Sequence, residues 1–221
     1  SDYGLRCLDC NIDCVMDEGL DACIGPNDHK LMMSLAAGGP VHAKYRRMIA
    51  VYVDITAPLY WWKEFDTYQI GVVTNSCSTM HKIHDKEFTL EDFSLEHCET
   101  LTKDVFIQHI IPTLNLYRNL YCGIESGPRK GEKSDWWQMI QLLPSSYNQK
   151  RTIMLNYEVL VGMYRDRKNH KLDEWREFCK WIDGLPYSEL ITGETGEKEK
   201  NDEKDHFYFC CVVCSYYISN S

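Results

Sequence analysis

The chain has 221 residues, 44% of them apolar, which suits one large domain or two small ones with a core of their own. Its formal charge of −9 argues against a broad face that wraps polyanionic nucleic acid, yet leaves room for a local cationic pocket that takes a mononucleotide. No apolar run reaches the ~20 residues that span a bilayer and no secretory signal is present, so a cytoplasmic protein with no membrane or nucleic-acid partner is expected.

Three regions are expected: a Cys-rich segment over 1–30, a main domain over 31–192, and a charged linker with a short apolar tail over 193–221. Ile24 to Asp28 reads as a turn that opens a helix over 28–37, stopped by Gly38-Gly39-Pro40. Arg47 to Thr56 (RMIAVYVDIT) is almost continuously apolar and predicts a central strand buried on both faces, ended by Pro58. Leu59 to Ile70 predicts a helix packed into the core. Thr89 to Asp92 has the form of a capping box. Helical patterns follow over about 103–121, kinked at Pro112, and Ser134 is placed to cap a short helix with Trp136 and Trp137. A long helix is expected over about 148–167, its stripe formed by Ile153, Met154, Tyr157, Leu160, Val161 and Tyr164. A last helix is expected over about 171–183, with Gly184 just past its end. Gly193 to His206 is charged and without apolar periodicity, which reads as a solvated linker or disordered tail. The apolar FYFCCVVCSYYIS run after it suits a paired strand or an oligomer contact.

The eleven cysteines cluster at Cys7, Cys10, Cys14 and Cys23 and again at Cys210, Cys211 and Cys214. Cys7-x-x-Cys10 has the form of half a zinc site, but no second pair stands at the usual distance. Reduced structural thiols are the simpler reading, and no metal is assigned.

The polar residues that carry chemistry each have a plain structural reading. Asn75 to Thr79 (NSCST) is the composition of a turn that caps a helix. Arg165, Arg167 and Lys168 suit a helix C-terminus, where the dipole favours cations. Asn156 is more informative, because Asn is a poor residue for a helix interior. Trp61, Trp62, Trp136 and Trp137 read as core before ligand platforms. His81 and His84 lie one turn apart without an evident third ligand, so a helix-surface pair is the safer reading. Cys77 as a nucleophile has no evident partner.

Two stretches resemble the flavin-dependent thymidylate synthase (ThyX) family. Leu143-Pro144, Asn156 and Arg167, in LPSSYNQKRTIMLNYEVLVGMYRDR, fall at that family's separations. Upstream, Thr56-Ala57-Pro58 resembles its Ala-Pro strand end, and Asn75 and Ser78 match two positions of its RHRxxSxNExSxRY signature. The match needs one inserted residue; Thr67-Tyr68-Gln69 stands for Arg-His-Arg, Ser76 for Glu and Met80-His81 for Arg-Tyr. The resemblance spans about 40–183 and includes a loose echo of a downstream His-Ala-Gln-Trp-Glu run around His170 to Trp175.

The resemblance implies an α+β fold with a central, mostly antiparallel sheet and long helices. It implies a homotetramer with flavin between subunits. The activity implied is reductive methylation of the nucleotide dUMP to dTMP, using FAD, NADPH and methylenetetrahydrofolate as co-substrate. It gives Arg167 the catalytic role at the pyrimidine, Glu64, Ser76, Cys77 and Ser78 to the substrate, and Tyr68, Gln69 and Asn156 to the flavin. Arg167 is then expected in a cleft facing the Asn75–Ser78 loop. The missing arginines leave neutral hydrogen bonds where phosphates would meet charge, with Lys63, Lys82 and Arg151 as possible replacements. A non-catalytic binding or assembly protein on the same fold is the other expectation.

Overall fold

Ala50–Pro58 forms strand β1 in the computed structural model, which describes residues 24–76, 78–124, 131–193 and 213–217. Its side chains alternate: Val51, Val53, Ile55 and Ala57 are buried, while Ala50 and Tyr52 are exposed. One face is therefore covered, not both, and the near-continuous apolar run concealed a period of two. The strand starts later than expected, because Lys44–Met48 is a turn of 3-10 helix with Met48 exposed. Pro58 ends the strand, as the missing N–H requires.

The fold is α+β, with antiparallel pairing among the main strands. A four-stranded sheet has the order β2-β3-β1-β4, where β2 is Val73–Ser76, β3 is Asn148–Asn156 and β4 is Val213–Tyr217. Tyr157 N–H donates to the Ile49 carbonyl at 3.1 Å and Leu59 N–H to the Tyr147 carbonyl at 3.0 Å, which fixes the antiparallel register of β1 and β3.

Residues 148–156 correct the long helix expected over 148–167. They form β3, with Ile153 and Leu155 buried and their neighbours less so. Only Tyr157–Arg167 is helical (α7). Ile153 and Met154 extended the apolar stripe of α7 backward by coincidence, and pairing with β1 decides the outcome. Asn156 is thus not inside a helix. It caps α7, its Oδ1 accepting the Val159 N–H at 3.1 Å.

Two compact units divide the chain: Ser1–Val53, Gln69–Val73 and Ile153–Ser215 in one, and Asp54–Tyr68, Thr74–Thr152 and Tyr216–Ser221 in the other. In the first, α1 (Pro26–Ala37) stops at Gly38 as expected but starts two residues earlier than expected, with Pro26 at its first position. Helix α7 packs against α8 (Asp173–Asp183), α9 (Glu189–Thr192) and the 3-10 turn. Helix α8 buries Trp175, Phe178, Cys179 and Ile182, the i, i+3, i+4, i+7 face, and stops at Gly184. Burial pushes the Cys179 thiol up to about 12, so it is an inert core group.

In the second unit, α2 (Leu59–Phe65) buries Trp61, Trp62 and Phe65 and is shorter than expected. The Thr67 hydroxyl and N–H both bond the Glu64 carbonyl, at 2.7 and 3.2 Å, which turns the chain away. Helices α3 (Thr79–Lys82), α4 (Thr100–Val105), α5 (Ile111–Cys122) and α6 (Lys133–Leu142) follow. A π-helical turn, Phe106–Ile110, joins α4 to α5. Pro112 lacks the N–H that would bond the carbonyl four residues back, and its ring would crowd that carbonyl; the wider turn relieves both. Thr89 and Asp92 form the expected capping box, but on a single 3-10 turn, Leu90–Asp92. Ser134 is not the cap of α6, which begins at Lys133 after Glu132. Ile83, Phe88, Phe93, Leu95, Leu114 and Met139 form the core.

The N-terminal cysteines, Cys77, Cys210, Cys211 and all but Gly193 of the linker expected over 193–206 lie outside the described residues. Among those described, no helix is long and apolar enough to cross a membrane, and no group of three or more metal-ligating side chains assembles.

Candidate functional site

Helix α3 and the turn after it sort their side chains onto two faces. Thr79, Lys82, Ile83 and Lys86, at spacing i, i+3, i+4 and i+7, line a cavity of about 510 Å³ together with Gln149 and Lys150. His81 and His84 line another, of about 450 Å³.

The first cavity contains three lysines in different electrostatic states. Lys86 is paired with Asp92 and bonded to it. Lys150 Nζ is 2.9 Å from Asp54, whose carboxyl is held below the usual range by the Thr152 hydroxyl and the Lys150 ammonium. Lys82 has no ion pair among the described residues. Tyr147, also in the wall, has its phenol pKa raised, first by burial and then by the Asp92 carboxylate.

A hydrogen-bond relay orients the neutral groups. Arg151 donates from Nε to Gln149 Oε1 at 2.8 Å and from Nη1 to Asp66 at 2.7 Å, and its guanidinium lies 4.3 Å over the Trp62 ring. Arg is a donor only, so Gln149 must turn its oxygen to Arg151 and its NH₂ to Thr79. Gln149 Nε2 donates to Thr79 Oγ1 at 2.7 Å. The Thr79 hydroxyl is thereby an acceptor on one side, and its own proton is left to donate at the cavity wall. An unpaired ammonium beside a hydroxyl donor is the arrangement that binds an anion.

In the other unit, Gly71, two residues after the expected flavin residue Gln69, lies close to Asn156, another of the expected flavin residues. Gly71 has φ +76°, and a methyl there would lie 2.9 Å from Val159 Cγ2 and 3.4 Å from Asn156 Nδ2. Only glycine allows the 69–73 segment this approach to the start of α7. Arg167, at the end of α7, lays its guanidinium 4.6 Å over the buried Trp175 ring. Asn156 and Arg167 keep their eleven-residue separation but stand at the two ends of the helix, not along its middle.

Of the other expected residues, Glu64 and Tyr68 are half-buried at the end of α2 and beyond, with Tyr68 6.5 Å from Phe65. Ser76 ends the wholly exposed β2. Ser78 is exposed at the start of α3, where its carbonyl accepts from the His81 and Lys82 N–H groups, both at 3.1 Å. Gln149, Lys86 and Lys150 were not singled out from sequence. Thr79 and Gln149 lie 70 positions apart, and only the sheet register joins them. Trp61 and Trp62 are core, as expected, whereas Trp136 lines the second cavity.

No protein-family model matches the chain, and no curated protein does. Solved structures match in fold. The flavin-dependent thymidylate synthase ThyX of Helicobacter pylori, crystallised with FAD and dUMP, is 14% identical with a TM-score of 0.58, over 76% of this chain and 84% of that one. A second crystal structure of that enzyme with FAD and dUMP gives 14% identity and a TM-score of 0.59, over 76% and 83%. The chain has a ThyX-like fold.

Proposed function

We propose that this chain is a diverged nucleotide-binding relative of the flavin-dependent thymidylate synthases, taking a pyrimidine mononucleotide such as dUMP. The observation that carries the reading is the Thr79–Lys82 wall on a fold whose solved examples hold dUMP. Lys82 supplies charge and Thr79 a hydroxyl proton to the phosphate. Lys82 is one of the cations that the sequence offers in place of the missing arginines; Arg151 is another, but Asp66, Gln149 and Trp62 already engage it. The resemblance assigns Arg167 to the pyrimidine, where a cation stabilises developing negative charge, and Glu64, Ser76, Cys77 and Ser78 to the nucleotide.

The residues present do not fit FAD well. The triplet positions hold Thr67, Tyr68 and Gln69, none of them cationic, and the Thr67 hydroxyl is bonded to the Glu64 carbonyl. A second reading, the full synthase with FAD, NADPH and methylenetetrahydrofolate in a homotetramer, is favoured by one observation. Gly71, two residues after Gln69, approaches Asn156, one of the positions that the resemblance gives to flavin.

Two measurements separate the readings. Purified protein without absorbance near about 450 nm, a property of bound flavin, yet thermally stabilised by dUMP, matches the proposal. Stoichiometric flavin and thymidylate formation favour the synthase. No stabilisation by dUMP and no flavin refute both and leave an assembly or partner-binding role. Loss of the dUMP shift in Arg167→Ala supports the role given to that residue.

A further inference from the structure

The second cavity, on the opposite face of α3, is not explained by a mononucleotide site. Its walls are His81, His84, Tyr121, Gly131, Lys133 and Trp136, around about 450 Å³. That volume is within the range of small-molecule pockets, roughly 300–1,000 Å³.

The walls are built by specific bonds. Arg118 Nε donates to the His84 carbonyl at 3.0 Å, and the Cys122 thiol contacts the same oxygen at 3.7 Å, fixing the turn after α3 to α5. The His84 ring stands edge-on to Tyr121, centroids 4.9 Å apart. Gly131 N–H donates to the Tyr121 carbonyl at 2.8 Å, which brings the start of α6, with Lys133, to the end of α5. Trp136 is braced edge-on by Trp137 at 4.9 Å.

The chemistry of the lining is consistent. Two aromatic rings, Tyr121 and Trp136, provide flat apolar surface. Two imidazoles and one ammonium provide donors, and among the described residues no carboxylate is in the lining. Lys133 and His81 have no ion pair among the described residues. His84 Nε2 makes only a 3.8 Å contact with Asp85, and its Nδ1 has no hydrogen-bond partner. A bare phosphate would leave the aromatic walls wet, and an apolar ligand would leave the ammonium and the imidazole donors unused. From this we infer that the cavity binds a planar aromatic anion, an aromatic carboxylate being the simplest class. The ring lies against Tyr121 and Trp136, and the carboxylate meets Lys133 and His81.

The test uses 2-naphthoate and isothermal titration calorimetry on the full chain. Saturable binding is expected, weakened about tenfold or more in Lys133→Gln, which removes one charge-assisted contact. Trp136→Leu should weaken it comparably, and 2-naphthalenemethanol, the neutral isostere, should bind at least about tenfold less tightly than the acid. Saturating dUMP should leave naphthoate affinity unchanged, because the proposed nucleotide cavity is lined by other side chains. Lys133 is exposed, so Lys133→Gln is expected to fold, with circular dichroism as the check. Absence of heat at millimolar naphthoate, equal affinity for the alcohol, unaltered binding in Lys133→Gln, or displacement by dUMP would each overturn the inference.

Discussion

Gln149 donates its side-chain amide to the Thr79 hydroxyl at 2.7 Å, and Arg151 determines which end of that amide faces Thr79. A structural arginine thereby sets the hydrogen-bonding sense of a cavity wall it does not line. Gln149→Glu offers Thr79 a carboxylate, so the hydroxyl turns inward to donate, and a negative charge enters the wall. Binding of inorganic phosphate, followed by calorimetry, should fall about tenfold or more, about 1.4 kcal/mol. Gln149→Met, which removes the amide without adding charge, should fall less. Equal losses in the two variants would contradict the relay.

Asn156 caps α7 by accepting the Val159 N–H. Asn156→Ala should lower the free energy of unfolding by about 1 kcal/mol, and Asn156→Asp should retain most of it. Urea denaturation is the check. If both variants match the parent, the cap contributes nothing.

Gly71 combines φ +76° with a Cβ position 2.9 Å from Val159. Gly71→Ala adds left-handed backbone strain to a steric clash, for about 1–3 kcal/mol of destabilisation. Val159→Ala in the same chain should recover part of the loss, since it removes the clashing methyl group. A neutral Gly71→Ala would show that the segment relaxes.

Asp54 carries a pKa below its ordinary value of 3.8 because Thr152 and Lys150 bond the ionised carboxylate. A carboxyl whose folded pKa is depressed adds stability above the unfolded value and loses it as pH falls through the folded one. Asp54→Asn should therefore cost about 0.5–1 kcal/mol at neutral pH, a magnitude suited to a partly exposed pair. The difference from the parent should shrink as pH drops below about 3.8. Denaturation curves between neutral pH and pH ~3 test the sign; a difference that grows on acidification would reverse it.

The ends of elements were more legible in the sequence than their kinds. Gly38, Pro58 and Gly184 stop their elements where their backbone chemistry says, and Thr89 and Asp92 form their box. Residues 148–156 read as helix because Ile153 and Met154 continue the stripe of α7, whereas the strand buries the alternating Ile153 and Leu155. The signal that would have decided is Asn156, an uncommon residue inside a helix and a common one at its cap. The cavity was only partly legible. Lys82 stands out for its charge, but Gln149 and Lys150 reach the same wall through the pairing of β3 with its neighbouring strands, a long-range arrangement that no local pattern encodes.

The central claim is that the Thr79–Lys82 cavity takes the phosphate of a pyrimidine nucleotide. Calorimetric titration with dUMP, and with deoxyuridine as the ligand lacking phosphate, measures it directly. The account expects dUMP to bind, deoxyuridine to bind at least about tenfold more weakly, and Lys82→Ala to erase most of that difference. Equal affinity for the two ligands, or a phosphate preference that Lys82→Ala leaves intact, would contradict it.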